Sequence, residues 1–223
     1  MQPSAKFSLL LLAVSLLGGC SYNGGDIGDP LHRKFHWLSF VAGDDIAATC
    51  QAGMPDRFRL VYNAIWEQQV RVYELDSVRS QLRVRVIKPG SLTDLALTDP
   101  LAAWKSDDST IKLEPEPYDG LVALLADSGA FGPPAVGLEL PSHSYYWSAA
   151  TCRQGHFTFT GWAYPSAAFD AARFPARLFA LDPNPKSVIP AGPMSVDPTW
   201  EYQRNRGAVT EFSLRVGEKG MVQ

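Results

Sequence analysis

The chain has 223 residues, of which 46% are hydrophobic and 11% aromatic, and its formal net charge at pH 7 is −3. This composition excludes an intrinsically disordered chain and supplies enough apolar side chains for one domain with a substantial core. The small acidic excess argues against a nucleic-acid partner.

A short apolar run near the N-terminus ends in Leu17-Gly18-Gly19-Cys20. Lys6 precedes the run, and the run itself has 11 residues, 7–17, whereas a membrane-spanning helix needs about 20. The four closing residues resemble the lipobox of bacterial lipoprotein precursors, in which a peptidase cuts before an acylated cysteine. The resemblance implies cleavage between Gly19 and Cys20, loss of a signal peptide over 1–19, and lipidation of Cys20. The alternative is an ordinary secretory signal with a cysteine nearby.

Lipidation would hold the protein on a bilayer without a spanning helix. The resemblance implies a diacylglyceryl group on the Cys20 sulfur and usually a third chain on its amine, and two or more chains give a stable anchor. Ser21 stands where an aspartate would retain a lipoprotein in the inner membrane. The resemblance therefore implies the outer membrane, facing the periplasm.

The residues after the cysteine predict the domain organisation. Residues 20–30 are expected to form the lipidated N-terminus and a flexible tether, Ser21–Pro30, whose mean reach is under about 20 Å. Residues 31–223 are expected to form a single globular, β-rich domain.

The two remaining cysteines, Cys50 and Cys152, predict one disulfide, since an exported protein meets an oxidising compartment. Two buried free thiols are the alternative. The sequence AATCQAG at 47–53 matches AATCRQG at 149–155 in five of seven positions. This similarity indicates either two strand–turn units that meet at the disulfide, with Gly53 and Gly155 in the turns, or a duplicated half-domain.

Strand patterns dominate the rest of the chain. An aromatic run predicts a strand at Phe35–Val41. Alternation predicts an antiparallel meander with one buried face, formed by Phe58–Ala64, Gln69–Leu75 and Gln81–Ile87. It also predicts a hairpin around Arg153–Gly155, formed by Tyr145–Thr151 and His156–Tyr164, and a closing strand at Val209–Val216.

Capping patterns predict two short helices. Asp119 is expected to cap a helix over Gly120–Asp127. Ser166 is expected to cap another through Arg173, with Arg177–Leu181 extended after it. Five prolines predict a long extended loop from Asp182 to Pro198, which either carries function or wraps the sheet. The predicted fold class is α+β and β-rich: a single domain on a mainly antiparallel sheet, with one or two short packing helices, long loops and one disulfide.

Compact catalytic and nucleotide-binding motifs are absent from the sequence, including GxSxG, HExxH, CxxC and GxxxxGK[ST]. His143 lies between Ser142 and Ser144 and could act as a general base beside a hydroxyl, but a polar loop residue is the simpler interpretation. His32 and His36, four residues apart, could share a helical face as metal ligands, yet the neighbouring Arg33 and Lys34 disfavour a cation. We therefore predict no metal site and no cofactor.

The arginines of the predicted meander are a candidate binding face. Arg83 and Arg85 share a strand face, and Arg57, Arg59 and Arg71 on neighbouring strands could join them to meet anionic lipid headgroups or an acidic partner. The alternative is an ordinary exposed sheet face with interleaved acidic side chains.

These patterns favour a membrane-anchored envelope lipoprotein that binds or assembles an envelope protein or polymer without catalysis. A small periplasmic hydrolase with scattered site residues is the alternative function.

Overall fold

A computed structural model describes residues 21–90, 98–194, 198–207 and 210–222. Its centre is a six-stranded antiparallel sheet in the order β4-β3-β2-β1-β6-β7. The fold is α+β and β-rich, as predicted from the sequence. The strands of this sheet are β1 Arg57–Ala64, β2 Gln69–Asp76, β3 Gln81–Ile87, β4 Asp107–Lys112, β6 Tyr145–Arg153 and β7 His156–Ala163.

The predicted meander is confirmed as β1–β3, and the predicted hairpin as β6–β7. The prediction of one buried face is wrong, because both faces of the sheet are covered. One face carries Leu60, Tyr62 and Trp147 in a core that includes residues of the later helices. The other carries Val61, Val72 and Tyr146 in a second core with residues of the N-terminal segment. Strict alternation did not reveal the second core because polar residues such as Arg59 and Asn63 are buried within it.

The first helix, α1, spans Pro30–Ala42. The prediction of a strand at Phe35–Val41 is therefore wrong. Asp29 caps the helix by accepting hydrogen bonds from the amides of Leu31 and His32, and Pro30 occupies its first turn. Gly43 ends it in the left-handed conformation with φ of 77°. A short second helix, α2 Asp44–Thr49, follows directly.

The later helices differ from prediction mainly in their bounds. Helix α3, Pro115–Asp127, begins before the predicted Asp119 cap, because Pro115 suits the first helical turn. Ser166 does cap α4, Ala167–Ala171, by accepting from the Phe169 amide. Where an extended segment was expected over 177–181, the chain forms α5, Phe174–Leu181, because Phe174 and Leu178, one turn apart, are both buried.

The remaining elements are a 3-10 helix at Ala102–Trp104, the proline-rich loop, one more helix and a second sheet. The long loop after Asp182 contains a 3-10 turn, Pro185–Ser187, and helix α6 spans Pro198–Asn205, while residues 195–197 lie outside the described ranges. A second, three-stranded sheet consists of β5 Glu139–Pro141, β8 Ser213–Val216 and β9 Met221–Val222. The predicted closing strand is confirmed only over Ser213–Val216, and its first residue, Val209, lies outside the described residues.

Residues 21–30 are not a flexible tether. Tyr22 and Ile27 are buried in the second core, and the Tyr22 amide donates to Ser39 Oγ of α1 at 2.5 Å. Buried Arg33 donates to the carbonyls of Ile27, Gly28 and Trp104, which ties the segment to α1 and to a distant loop. Polar residues suggested a solvated linker, but Tyr22 and Ile27 supply the apolar contacts that fix it. Among the described residues, no helix is long and apolar enough to cross a membrane.

Candidate binding groove

The predicted disulfide is present. Cys50, at the C-terminal end of α2, is bonded to Cys152 of β6, and their Cα atoms lie 5.6 Å apart. Gly155 in the following turn has φ of 79°, and a Cβ there would lie 2.4 Å from the Ala52 amide nitrogen. Only glycine permits this approach of the two turns that flank the disulfide.

The two matching heptapeptides adopt different structures. Residues 47–49 end helix α2, whereas residues 149–152 lie in strand β6. The prediction of two equivalent strand–turn units is therefore wrong, although Gly53 and Gly155 do both adopt positive φ in turns. This difference in local structure also argues against a duplicated half-domain.

Four of the five arginines predicted to form a binding face lie on the same side of the sheet. Residues paired directly across antiparallel strands share a face, and Arg59 pairs with Glu74, which pairs with Arg83. Arg57 and Arg85, two positions along their strands, project on this side too. Arg71 instead pairs with Tyr62 and lies on the opposite face, so its predicted membership is wrong.

Arg59 is an internal cation and not part of an open surface. Its side chain is 1% exposed and contacts Asp45 of α2 at 2.7 Å and Glu74 of β2 at 2.8 Å. Its guanidinium also lies 3.7 Å from the centre of the Phe40 ring and donates to the Phe40 carbonyl. Arg59 therefore attaches α1 and α2 to the sheet.

Two arginines hold Asp45 in its ionised form. Burial alone would raise the pKa of Asp45, but hydrogen bonds and charges from Arg59 and Arg57 outweigh burial and lower it. Burial likewise opposes the charge on Arg59, yet Glu74 and Asp45 raise its pKa. Asp45 and Arg59 therefore both stay charged at neutral pH.

A second charged cluster lies at the other side of the same face. Asp108 of β4 contacts Arg83 at 2.5 Å and Arg85 at 3.1 Å. Arg85 is buried, its Nη1 atom has no hydrogen-bond partner in the described part of the chain, and Asp26 lies 4.0 Å from its Nη2 atom.

A groove of about 420 Å³ lies between these clusters. The Arg57 and Arg83 side chains, 43% and 44% exposed, reach its surface together with Glu74 and Asp108. Cations and anions therefore alternate along the groove. Such a surface suits a ligand that carries both charges and hydrogen-bonding groups. Acidic side chains are interleaved with the arginines, as the alternative interpretation of this face expected. The residues that line the groove include Ile46, Arg57, Glu74, Arg83, Asp108 and Thr110.

Arg71 lies beneath the proline-rich loop, where its role is structural. It is fully buried and contacts Asp182 at 2.5 Å and Ser187 Oγ at 2.6 Å. Tyr73 also donates to Asp182, at 2.9 Å, and burial together with the charge of Asp182 raises the pKa of Tyr73. The loop that begins at Asp182 is thus fastened to the sheet and wraps it, which is one of the two roles that the sequence left open.

The hydroxyls beside His143 are engaged by the backbone. Ser142 Oγ accepts from the Phe212 amide at 3.1 Å, and Ser144 Oγ donates to the Pro141 carbonyl at 3.0 Å. His143 Nδ1 lies 3.8 Å from Glu211, which Arg204 also contacts. These contacts engage both serine hydroxyls with the backbone of the β5–β8 part of the second sheet.

His32 and His36 share a face of α1, with ring centroids 4.5 Å apart. They lie in a helix where the sequence predicted that a strand begins at Phe35. In the ranges that the structure describes, no group of three or more metal-ligating side chains converges.

No family model and no curated protein matches this chain. The role of the site therefore rests on its geometry alone. The sequence indicated the groove through its arginines but did not reveal Asp45 and Asp108. Asp45 lies in a helix that was not predicted, and Asp108 belongs to an unpredicted edge strand.

Proposed function

We propose that this chain is a lipoprotein of the bacterial cell envelope, anchored by acylated Cys20 to the outer membrane on its periplasmic side. The observation that carries the proposal is the sequence Leu17-Gly18-Gly19-Cys20 at the end of a short apolar run. The disulfide supports it, because structural disulfides persist in oxidising compartments such as the periplasm. Cys20 is also the cysteine that the disulfide leaves over.

The proposed role is non-catalytic binding or assembly of an envelope protein or polymer through the charged groove. Arg57 and Arg83 present exposed guanidinium groups beside Glu74 and Asp108, and each side chain is positioned by the sheet or by α2. Preformed polar groups on rigid elements bind with little loss of conformational entropy. The groove therefore provides a recognition surface without requiring a reactive group.

Cys20→Ser is expected to abolish labelling by radioactive palmitate and to release the protein from membranes. The acyl chains supply the anchor, and no other cysteine is free to carry them. Labelling and fractionation of cells that produce each form measure both effects. Cys50→Ser/Cys152→Ser is the control, which should still be labelled, and continued labelling of Cys20→Ser would contradict the anchor.

A photo-crosslinking side chain in place of Thr110, on the groove wall, is expected to capture a partner in intact cells. The same side chain in place of exposed Glu139 in β5 is the control and should capture little. Arg57→Glu with Arg83→Glu should reduce capture at position 110 about tenfold or more, since two attractive contacts become repulsive. Capture that is equal at both positions, or that is unchanged by this charge reversal, would show that the groove does not bind the partner.

A further inference from the structure

The outer side of α1 presents apolar side chains to solvent. Leu31 is 57% exposed and Phe35 is 67% exposed, and a spacing of four residues places them one turn apart on the same side. Lys34 lies beside them and is also exposed. The opposite side of the helix contributes Trp37, Phe40 and Val41 to the second core, so the outer apolar pair is not needed for packing.

The chain enters the domain along the flank of α1 that adjoins Phe35. Ser39, four residues after Phe35, accepts the hydrogen bond from the Tyr22 amide at 2.5 Å. Four residues of helix rise about 6 Å, so the Tyr22 amide lies about one helical turn away from Phe35. Cys20 precedes Tyr22 by two residues, which span at most about 7 Å.

We propose that the Leu31–Phe35 side of α1 rests in the headgroup region of the bilayer that holds Cys20. This inference rests on the proposed lipidation. The link between Cys20 and Tyr22 is too short to hold the domain clear of the membrane, whereas interfacial helices bury their apolar side about 5–10 Å into that region. Phe35 and Leu31 enter the acyl boundary, and Lys34 pairs with anionic lipid phosphates.

The test uses the mature, acylated protein in vesicles of phosphatidylethanolamine and phosphatidylglycerol. Phe35→Cys carries the only free thiol, because Cys20 is acylated and Cys50 and Cys152 are joined. An environment-sensitive fluorophore on this thiol is expected to be quenched by quencher-bearing lipids several-fold more strongly than the same label on Val78→Cys. Val78 is a matched control because it is apolar and 70% exposed in the turn between β2 and β3.

A second variant tests the chemistry of the contact. Adding Leu31→Ser and Lys34→Glu to the labelled Phe35→Cys protein is expected to weaken quenching, because it removes an apolar contact and reverses a charge. Equal quenching of the labels at 35 and 78 in a palmitate-labelled protein would overturn the inference and leave the anchor intact. A protein without palmitate that stays in the soluble fraction would overturn the proposed function and this inference with it.

Discussion

Arg71→Met is expected to lower the free energy of unfolding by about 3–5 kcal/mol, because it leaves the buried charge of Asp182 without its cation. The Tyr73 hydroxyl still donates to Asp182 but cannot neutralise it. The loop also loses the contact between Arg71 and Ser187. Urea unfolding at constant pH, followed by circular dichroism, measures the effect.

Arg83→Met is the matched control for this change. Arg83 also lies in the central sheet and contacts an aspartate, but its side chain is 44% exposed, so its loss should cost about 1 kcal/mol or less. The double variant Arg71→Met/Asp182→Leu removes both charges and is expected to recover part of the loss. Equal destabilisation by Arg71→Met and Arg83→Met would contradict the role assigned to the buried pair.

Cys50→Ser/Cys152→Ser is expected to lower the free energy of unfolding by about 2–5 kcal/mol. The disulfide joins residues separated by 102 positions, so its loss frees a long loop in the unfolded chain. The folded state also loses the covalent attachment of α2, whose Asp45 contacts Arg59. Thermal and urea unfolding measure the change, and mass spectrometry without reduction is expected to find the Cys50–Cys152 linkage in the native protein.

Cys20→Ser controls for the mere loss of a cysteine and should leave the unfolding free energy of the domain unchanged. A reducing agent is expected to destabilise the native protein but not the double serine variant. Two thiols that alkylate readily in the unreduced native protein would show that the expected linkage is not formed.

Regular patterns in the sequence predicted the sheet well. Strict alternation and short polar breaks are sufficient to position β1–β3, and the pairing of Cys50 with Cys152 followed from the count of cysteines. Aromatic residues at 35–41 favour a strand where the structure has helix α1, because the signals that decide the helix lie at its ends, in the Asp29 cap and Gly43. Local composition was a weaker guide there than the capping residues.

The segment Ala-Ala-Thr-Cys illustrates why local sequence alone was insufficient. It ends a helix at 47–50 and extends as a strand at 149–152, so the surroundings decide its conformation. The sequence likewise predicted only part of the candidate site. Alternation placed four arginines on one face, but the register between β1 and β2 put Arg71 on the other, and only the fold brings Asp45 and Asp108 to their partners.

Strand β4 forms one edge of the main sheet, and among the strands of the described ranges it pairs with β3 alone. Asp107, Asp108 and Lys112 make this free edge highly charged, and most of its residues are exposed. Charged side chains along an edge oppose the addition of a strand from a second molecule. Copies of a protein confined to a membrane plane collide often, and this charged border would let the proposed lipoprotein accumulate there without sheet-to-sheet aggregation.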